Sequence, residues 1–321
     1  MSWYISWQLY RLAHRLAERF PRYSLTICRV IATWNAKSSS VLKQRLAARA
    51  SVTEALLTGQ LGDRDRSTVI NQRVVTVYRR SSDPELRTHV AWAMTNRGLD
   101  LVDMGRPEEA IAVFEDLAAF VPAEYPYLGP LAQGLNNWAA ALNDIGRHDE
   151  EMAMYERVAA VLRDRGDDPE LAHLLAWSLV SKGIELASRH KYAAAVEVFD
   201  EVLHKWWTSR IRGPSDRLQE AIAASLRHRS AALVALNQHV AAMADANRAI
   251  DRYVGSGTVG IQQEVAWAML GKAVALEEIG HRAESLETCQ SLVKRYGRSV
   301  DKQVAEAVSR ARRFSETVIG A

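Results

Sequence analysis

The sequence predicts an all-α chain of repeated helix pairs, on three observations. Several segments align with one another without a gap, at a spacing that fits two helices and a turn. Apolar residues recur at helical intervals on either side of a shared turn position. Ala, Leu, Arg and Glu dominate, and Pro is scarce at 8 in 321 residues, which favours helix throughout.

The copies are explicit. Residues 91–117 (AWAMTNRGLDLVDMGRPEEAIAVFEDL), 176–202 (AWSLVSKGIELASRHKYAAAVEVFDEV) and 266–292 (AWAMLGKAVALEEIGHRAESLETCQSL) align throughout. Two more divergent copies occupy 133–158 and 224–250. Their turn positions are Gly105, Gly146, His190, Asn237 and Gly280, spaced by 41, 44, 47 and 43 residues. Gly62, 43 residues before Gly105, marks a degenerate earlier copy. Gly or Asn suits the left-handed residue that ends a helix. His190 departs from this, and its turn is expected to close differently.

Each copy reads as two helices. In the first, Ala91, Met94, Gly98 and Leu101 recur before the turn and Ala110, Val113, Phe114 and Leu117 after it. Pro107 falls just inside the second helix, where a missing N–H is harmless. Small residues at Gly98, Ala139 and Gly183 allow close helix approach. Asp83-Pro84-Glu85 and Asp168-Pro169-Glu170 read as helix starts. Pro122, Pro126, Pro130 and Gly213-Pro214 read as loop punctuation.

These residues resemble the tetratricopeptide signature: a small residue, Gly seven later, Ala five after that, then an aromatic four further on. Gly98, Gly105, Ala110 and Phe114 match in one copy; Gly183, Ala195 and Phe199 match in another. Ala139, Gly146 and Tyr155 match in a third, where Glu151 replaces the usual Ala. The resemblance covers about residues 41–296, most closely 83–296, and kindred helix-pair repeats share much of the pattern. It implies a right-handed α-solenoid of five to six repeats. The spacing exceeds the usual ~34 residues, so helices or connections are longer. The expected layout is a basic, aromatic helical segment over 1–40, a degenerate pair over 41–82, five repeats over 83–296 and a capping helix over 297–321. That last helix should bury Val304, Ala307, Val308 and Ala311 and expose Arg310, Arg312 and Arg313.

The resemblance also implies a non-catalytic scaffold that takes a peptide or helix of a partner protein in a concave groove. Two columns are candidates for that groove. One is basic: Arg97, Lys182, Arg229 and Lys272, with Trp138 at the same position of the second copy. It suits carboxylates or phosphates on a partner, or else ion pairs with neighbouring helices. The other is Trp92, Trp177 and Trp267, either binding anchors or packed between helices. Gln133, Asn136, Asn137 and Asn143 offer amides for a peptide backbone.

Charge is uneven. Residues 1–50 hold nine Lys/Arg and one acid, Glu18, for a net +8, against −5 over the rest. Ile5, Leu9, Leu12, Leu16 and Phe20 form one apolar stripe, with Trp3, Trp7 and Tyr10 beside it and Arg11, Arg15 and Arg19 flanking. A helix over 2–20, ended by Pro21 and followed by another over 23–35, would cap the array or dock on a partner or an anionic membrane. Contact with nucleic acid through this basic end is the other alternative, helped by a helix-turn-helix-like stretch over 41–62.

No nucleotide loop of the GxxxxGK[ST] kind, HExxH or GxSxG occurs. Gly255-Ser-Gly257-Thr-Val-Gly260 matches GxGxxG but follows a helix, so it reads as an inter-repeat loop and no cofactor or metal is expected. Cys28 and Cys289 lie far apart outside any CxxC, which suits free thiols in a cytoplasmic chain. No transmembrane run and no secretory signal are read. Oligomerisation through an exposed end stays open.

Overall fold

The computed structural model describes residues 2–17, 19–124, 126–208 and 215–320, which form fifteen α-helices and no strand. Two compact units divide the chain, residues 1–163 and 164–321. In the first, α1 (Trp3–Leu16) and α2 (Pro21–Asn35) precede three pairs: α3 (Val41–Gln60) with α4 (Arg64–Tyr78), α5 (Pro84–Asp103) with α6 (Pro107–Phe120), and α7 (Leu128–Asp144) with α8 (His148–Leu162). The second holds α9 (Ala172–Ser188) with α10 (Tyr192–Trp206), α11 (Asp216–Ala235) with α12 (His239–Tyr253), α13 (Val259–Glu278) with α14 (Arg282–Tyr296), and then α15 (Lys302–Gly320).

Packing follows one rule in both units. First helices lie side by side, α3 on α5 on α7 and α9 on α11 on α13 on α15. Each second helix packs on its own partner and, within its unit, on the first helix of the next pair. The extra length of the repeat sits largely in the first helices, such as the 20-residue α5 and α13, against 14 and 15 residues for α6 and α14.

The shared turn is a Schellman closure repeated six times. Gly105 (φ 70°) donates its N–H to the Val102 carbonyl at 2.9 Å, and Arg106 to the Leu101 carbonyl at 2.9 Å. Gly62, Gly146, Asn237 and Gly280 repeat it. So does His190, contrary to the expectation that this turn closes differently: its φ is 58°, and its Nδ1 lies 2.8 Å from the Tyr192 hydroxyl. Histidine tolerates the left-handed region better than bulkier residues. His190→Val should therefore cost about 1–2 kcal/mol and His190→Gly little, as read by urea unfolding; equal costs would show that the backbone conformation is not what this position selects.

The predicted core faces are the buried ones. Ala91, Leu101, Ala110 and Phe114 are buried, as are Val304, Ala307, Val308 and Ala311 of α15. A Cβ on Gly98 would lie 2.3 Å from the Phe114 ring, and one on Gly183 2.5 Å from the Phe199 ring. The glycines are thus the floor on which these rings lie. Asp83 caps α5 by accepting the Leu86 N–H at 3.0 Å, and Asp301 caps α15 through the Val304 N–H at 3.0 Å. Cys28 and Cys289 are free and buried; burial, with Glu54 adding to it, pushes the Cys28 thiol up to about 12.

Several boundaries differ from the sequence reading. α1 stops at Leu16, and Pro21 opens α2 instead of ending α1, because proline fits the first turn of a helix. Residues 41–60 are one unbroken helix, so the helix-turn-helix-like reading fails. Asp168 accepts the Glu170 N–H at 2.9 Å in a turn, and α9 begins only at Ala172. Pro130 lies in the first turn of α7, not in a loop. Gly213-Pro214 lie outside the described residues. Gly255 and Gly257 sit between α12 and α13, joining helix to helix, without the strand that a dinucleotide fingerprint needs. Among the described residues no helix is long and apolar enough to cross a membrane.

Candidate protein-binding surfaces

Helix geometry separates the two candidate columns before any contact is considered. Positions 92 and 97 are five residues apart, about 140° round a helix. One groove cannot take both equally.

Trp177 and Trp267 meet neighbouring first helices. Trp92, Trp177 and Trp267 are each half-buried. Trp177 Nε1 donates to the Arg217 carbonyl of α11 at 3.1 Å. The Trp267 ring lies between Arg227 of α11, at 5.9 Å, and Arg310 of α15, at 5.0 Å. Gln133 holds the corresponding place on α7 and donates to the Asn137 Oδ1 at 3.0 Å. Asn137 is buried, and its Nδ2 has no hydrogen-bond partner among the described residues. Asn136 is half-buried beside it. Asn143 braces its own helix pair, its amide donating to Glu151 Oε1 at 3.2 Å. Glu151, the residue that replaces the usual Ala, is buried and also accepts the Tyr155 hydroxyl at 2.9 Å.

Arg229, Arg97 and Lys272 of the basic column turn toward second helices. Arg229 bridges Asp200 of α10 at 2.8 Å and Asp245 of α12 at 2.6 Å. This is the ion-pair alternative, and it removes Arg229 from the free anchors. Burial pushes the Asp245 carboxyl up, against the pull of Arg229 and Arg248. Arg97 lines a cleft of about 500 Å³ between α4 and α6, with Met94 of its own helix. There Asp116 is taken by Arg79 through two bonds of 2.6 Å, which holds its carboxyl below the usual range. Arg97 makes no ion pair with it among the described residues. Lys272 lies in a smaller cleft with Glu284 and Glu287 of α14. Lys182 is half-buried on α9, and Trp138, at the same repeat position on α7, is half-buried with its Nε1 shielded.

A tetratricopeptide repeat family model matches residues 267–299, which is α13 from Trp267, the turn at Gly280, and α14. The same turn closes five other helix pairs. Residues 267–299 thus match a tetratricopeptide repeat, and the described residues as a whole form an all-α array of helix pairs closed by that turn. Solved structures agree on the fold. The chain is similar to apo RapI at 10% identity and a TM-score of 0.70, covering 98% of this chain and 87% of that one. It is similar to BtubC (BKLC) of P. vanneervenii at 15% identity and a TM-score of 0.57, covering 80% and 91%. A third is the Pyrococcus horikoshii protein PH0952, a signal transduction ATPase with numerous domains and a tetratricopeptide repeat sensor, at 10% identity and a TM-score of 0.61. That match covers 98% of this chain and 46% of PH0952. No curated protein matches the chain in sequence.

Within this array of helix pairs one residue stands out that lies outside the aligned repeat positions. Trp207 follows α10 and packs against the guanidinium groups of two residues of α12, Arg248 at 4.4 Å and Arg252 at 4.5 Å. It opens on a cleft of about 680 Å³ that also holds Glu197, Glu201, His204 and Arg229. It lies past the aligned segments, so self-comparison does not reach it. The Trp206-Trp207 doublet is the available signal.

Proposed function

We propose that the chain is a non-catalytic scaffold whose first-helix faces take up a peptide or helix of a partner protein. One observation carries this. Tryptophan recurs at one register of the first helices and stays half-exposed there, at Trp92 in the first unit and at Trp177 and Trp267 in the second. A half-exposed tryptophan offers a large rigid surface at small entropic cost, the composition of binding hot spots. Gln133 supplies an amide at the same register for a peptide backbone. The basic residues play a lesser part in this reading, because Arg229 is committed to Asp200 and Asp245.

The test is selection of peptides from a displayed library on the purified chain, followed by titration of the tightest binder. Trp92→Ala or Trp267→Ala, whichever unit the peptide occupies, should weaken it tenfold or more, about 1.4 kcal/mol or above. Arg97→Ala and Lys272→Ala should change affinity less than about twofold. The reverse ranking would move binding to the clefts between second helices. Failure to select any peptide would sink the proposal.

A further inference from the structure

α1 docks through Ser6, Tyr10 and Ala13, with Trp7 and Leu9 packed beside them on the core that Cys28, Ile31 and Leu46 form. The Asn35 amide donates to Ser6 Oγ at 3.2 Å, the Tyr10 hydroxyl lies 3.1 Å from Thr53 Oγ1, and Ala13 is fully buried. The aliphatic stripe read from the sequence lies about a quarter-turn away round the helix. Its inner edge, Leu9 and Leu16, is half-buried. Its outer edge is open: Ile5 is 51% exposed and Leu12 45%. A helix that folded only to close the stack would bury this stripe.

The surroundings say what covers it. Beyond Ile5 and Leu12, continuing round the helix, come Arg11 and Arg15, both exposed and neither in an ion pair among the described residues. α1 and α2 contain no Asp or Glu at all. At the turn between them Phe20 and Tyr23 are also exposed, and Arg19 lies over the Phe20 ring at 5.5 Å. Of nineteen exposed large apolar side chains among the described residues, nine fall within residues 3–42, so the apolar exposure is concentrated where the charge is positive. A second copy of the chain would set this positive face against its own like, which repels. Arginine beside aliphatic side chains fits the headgroup boundary of an anionic bilayer, with the guanidinium groups reaching phosphates and the stripe entering the acyl region.

We infer that the outer face of α1 is a peripheral binding site for anionic membrane surfaces. It stands apart from the tryptophan register and does not rest on it. Binding is reversible and shallow, with α1 lying in the interface plane while its Ser6–Tyr10–Ala13 face stays on α2 and α3.

Vesicle flotation of the full chain tests this, with phosphatidylcholine vesicles and with vesicles carrying roughly 30% phosphatidylserine, at low and high salt. The chain should float with the anionic vesicles only, and less at high salt. Two double variants change exposed side chains alone: Ile5→Ser with Leu12→Ser, and Arg11→Gln with Arg15→Gln. Each should reduce the floated fraction at least fivefold while circular dichroism and the melting temperature stay unchanged. No flotation of the native chain would overturn the inference. So would loss in the arginine variant with none in the Ile5/Leu12 variant, which is adsorption without insertion. Flotation that neither variant reduces would place the lipid contact elsewhere and overturn it as well.

Discussion

Replacing Phe114 by alanine will cost the first unit about 3–5 kcal/mol, and replacing Gly98 by alanine about 1–3 kcal/mol. The first figure is the loss of a fully buried ring and the cavity it leaves. The second follows from a Cβ placed 2.3 Å from that ring, whose atoms have nowhere to retreat. The two changes should not add. With the ring gone, the methyl group occupies part of the void, so the double variant should fall short of the sum by about 1 kcal/mol or more. The chain contains the finished form of this exchange. The positions corresponding to Gly98 and Phe114 are Ser230 and Ala246 in one pair, and Ala273 and Cys289 in another, all buried. In α7 and α8 the pair is Ala139 and Tyr155, so the exchange is graded across the copies and not all-or-none. Urea unfolding with hydrogen exchange across α5 and α6 would read the cycle. Strictly additive costs would show that the two positions do not sense each other.

Acid will draw stability out of two half-buried imidazoles, His89 and His228. Burial, with Arg49 adding to it, pushes His89 down to about 4. Arg45 also opposes its protonation, while Asp83 and the carboxylate of Glu85, 3.9 Å from Nε2, favour it. Burial, then Arg227, pushes His228 down to about 3. His228 stacks on Phe199 at 6.0 Å, and its Nε2 accepts from the Arg227 guanidinium, so a proton there would displace a bond. The unfolded chain takes these protons near pH 6.5 and the folded chain refuses them. Their contribution is therefore full above pH 6.5 and is withdrawn as pH falls to about 4 for His89 and about 3 for His228. Each withdraws up to about 1.4 kcal/mol per pH unit in its window. The raised carboxyls of Asp100, Asp245 and Glu264 act the other way, since the folded state binds their protons more readily. The difference between native chain and variant isolates the histidines. His89→Gln and His228→Gln should each flatten the fall in stability between pH 7 and pH 5, and glutamine keeps an acceptor for Arg227. An unchanged slope in both would refute the assignment.

Much of the fold is legible in the sequence because it rests on short-range rules. Six turn positions follow from their spacing, and all six adopt the left-handed conformation. The predicted core positions Ala91, Leu101, Ala110 and Phe114 obey helical periodicity and are buried. At His190 residue identity argues against the shared turn and register argues for it; register wins, and a hydroxyl two residues on holds the ring in place. The end of α1 is misplaced by the sequence for a similar reason, as proline suggests a stop when it serves equally as a start. The binding surface is less legible. Sequence gives the register of Trp92 and Arg97 but not which neighbour each meets, and helix rotation sends them to different sides. Arg229 shows this most directly, because its partners Asp200 and Asp245 belong to two other helices. Which face of α1 docks is likewise hidden: the body takes Tyr10 and Ala13 with Leu9 at their edge, and leaves Ile5 and Leu12 outside.

The two cysteines acquire a use from where they lie. One is buried in each compact unit, Cys28 in the first and Cys289 in the second, and burial raises both thiols. A thiol held protonated and out of reach is silent to an alkylating reagent until its surroundings open. The native chain is thus its own two-channel clock. Timed alkylation, read peptide by peptide, dates the opening of each half separately, with no label introduced and no residue changed.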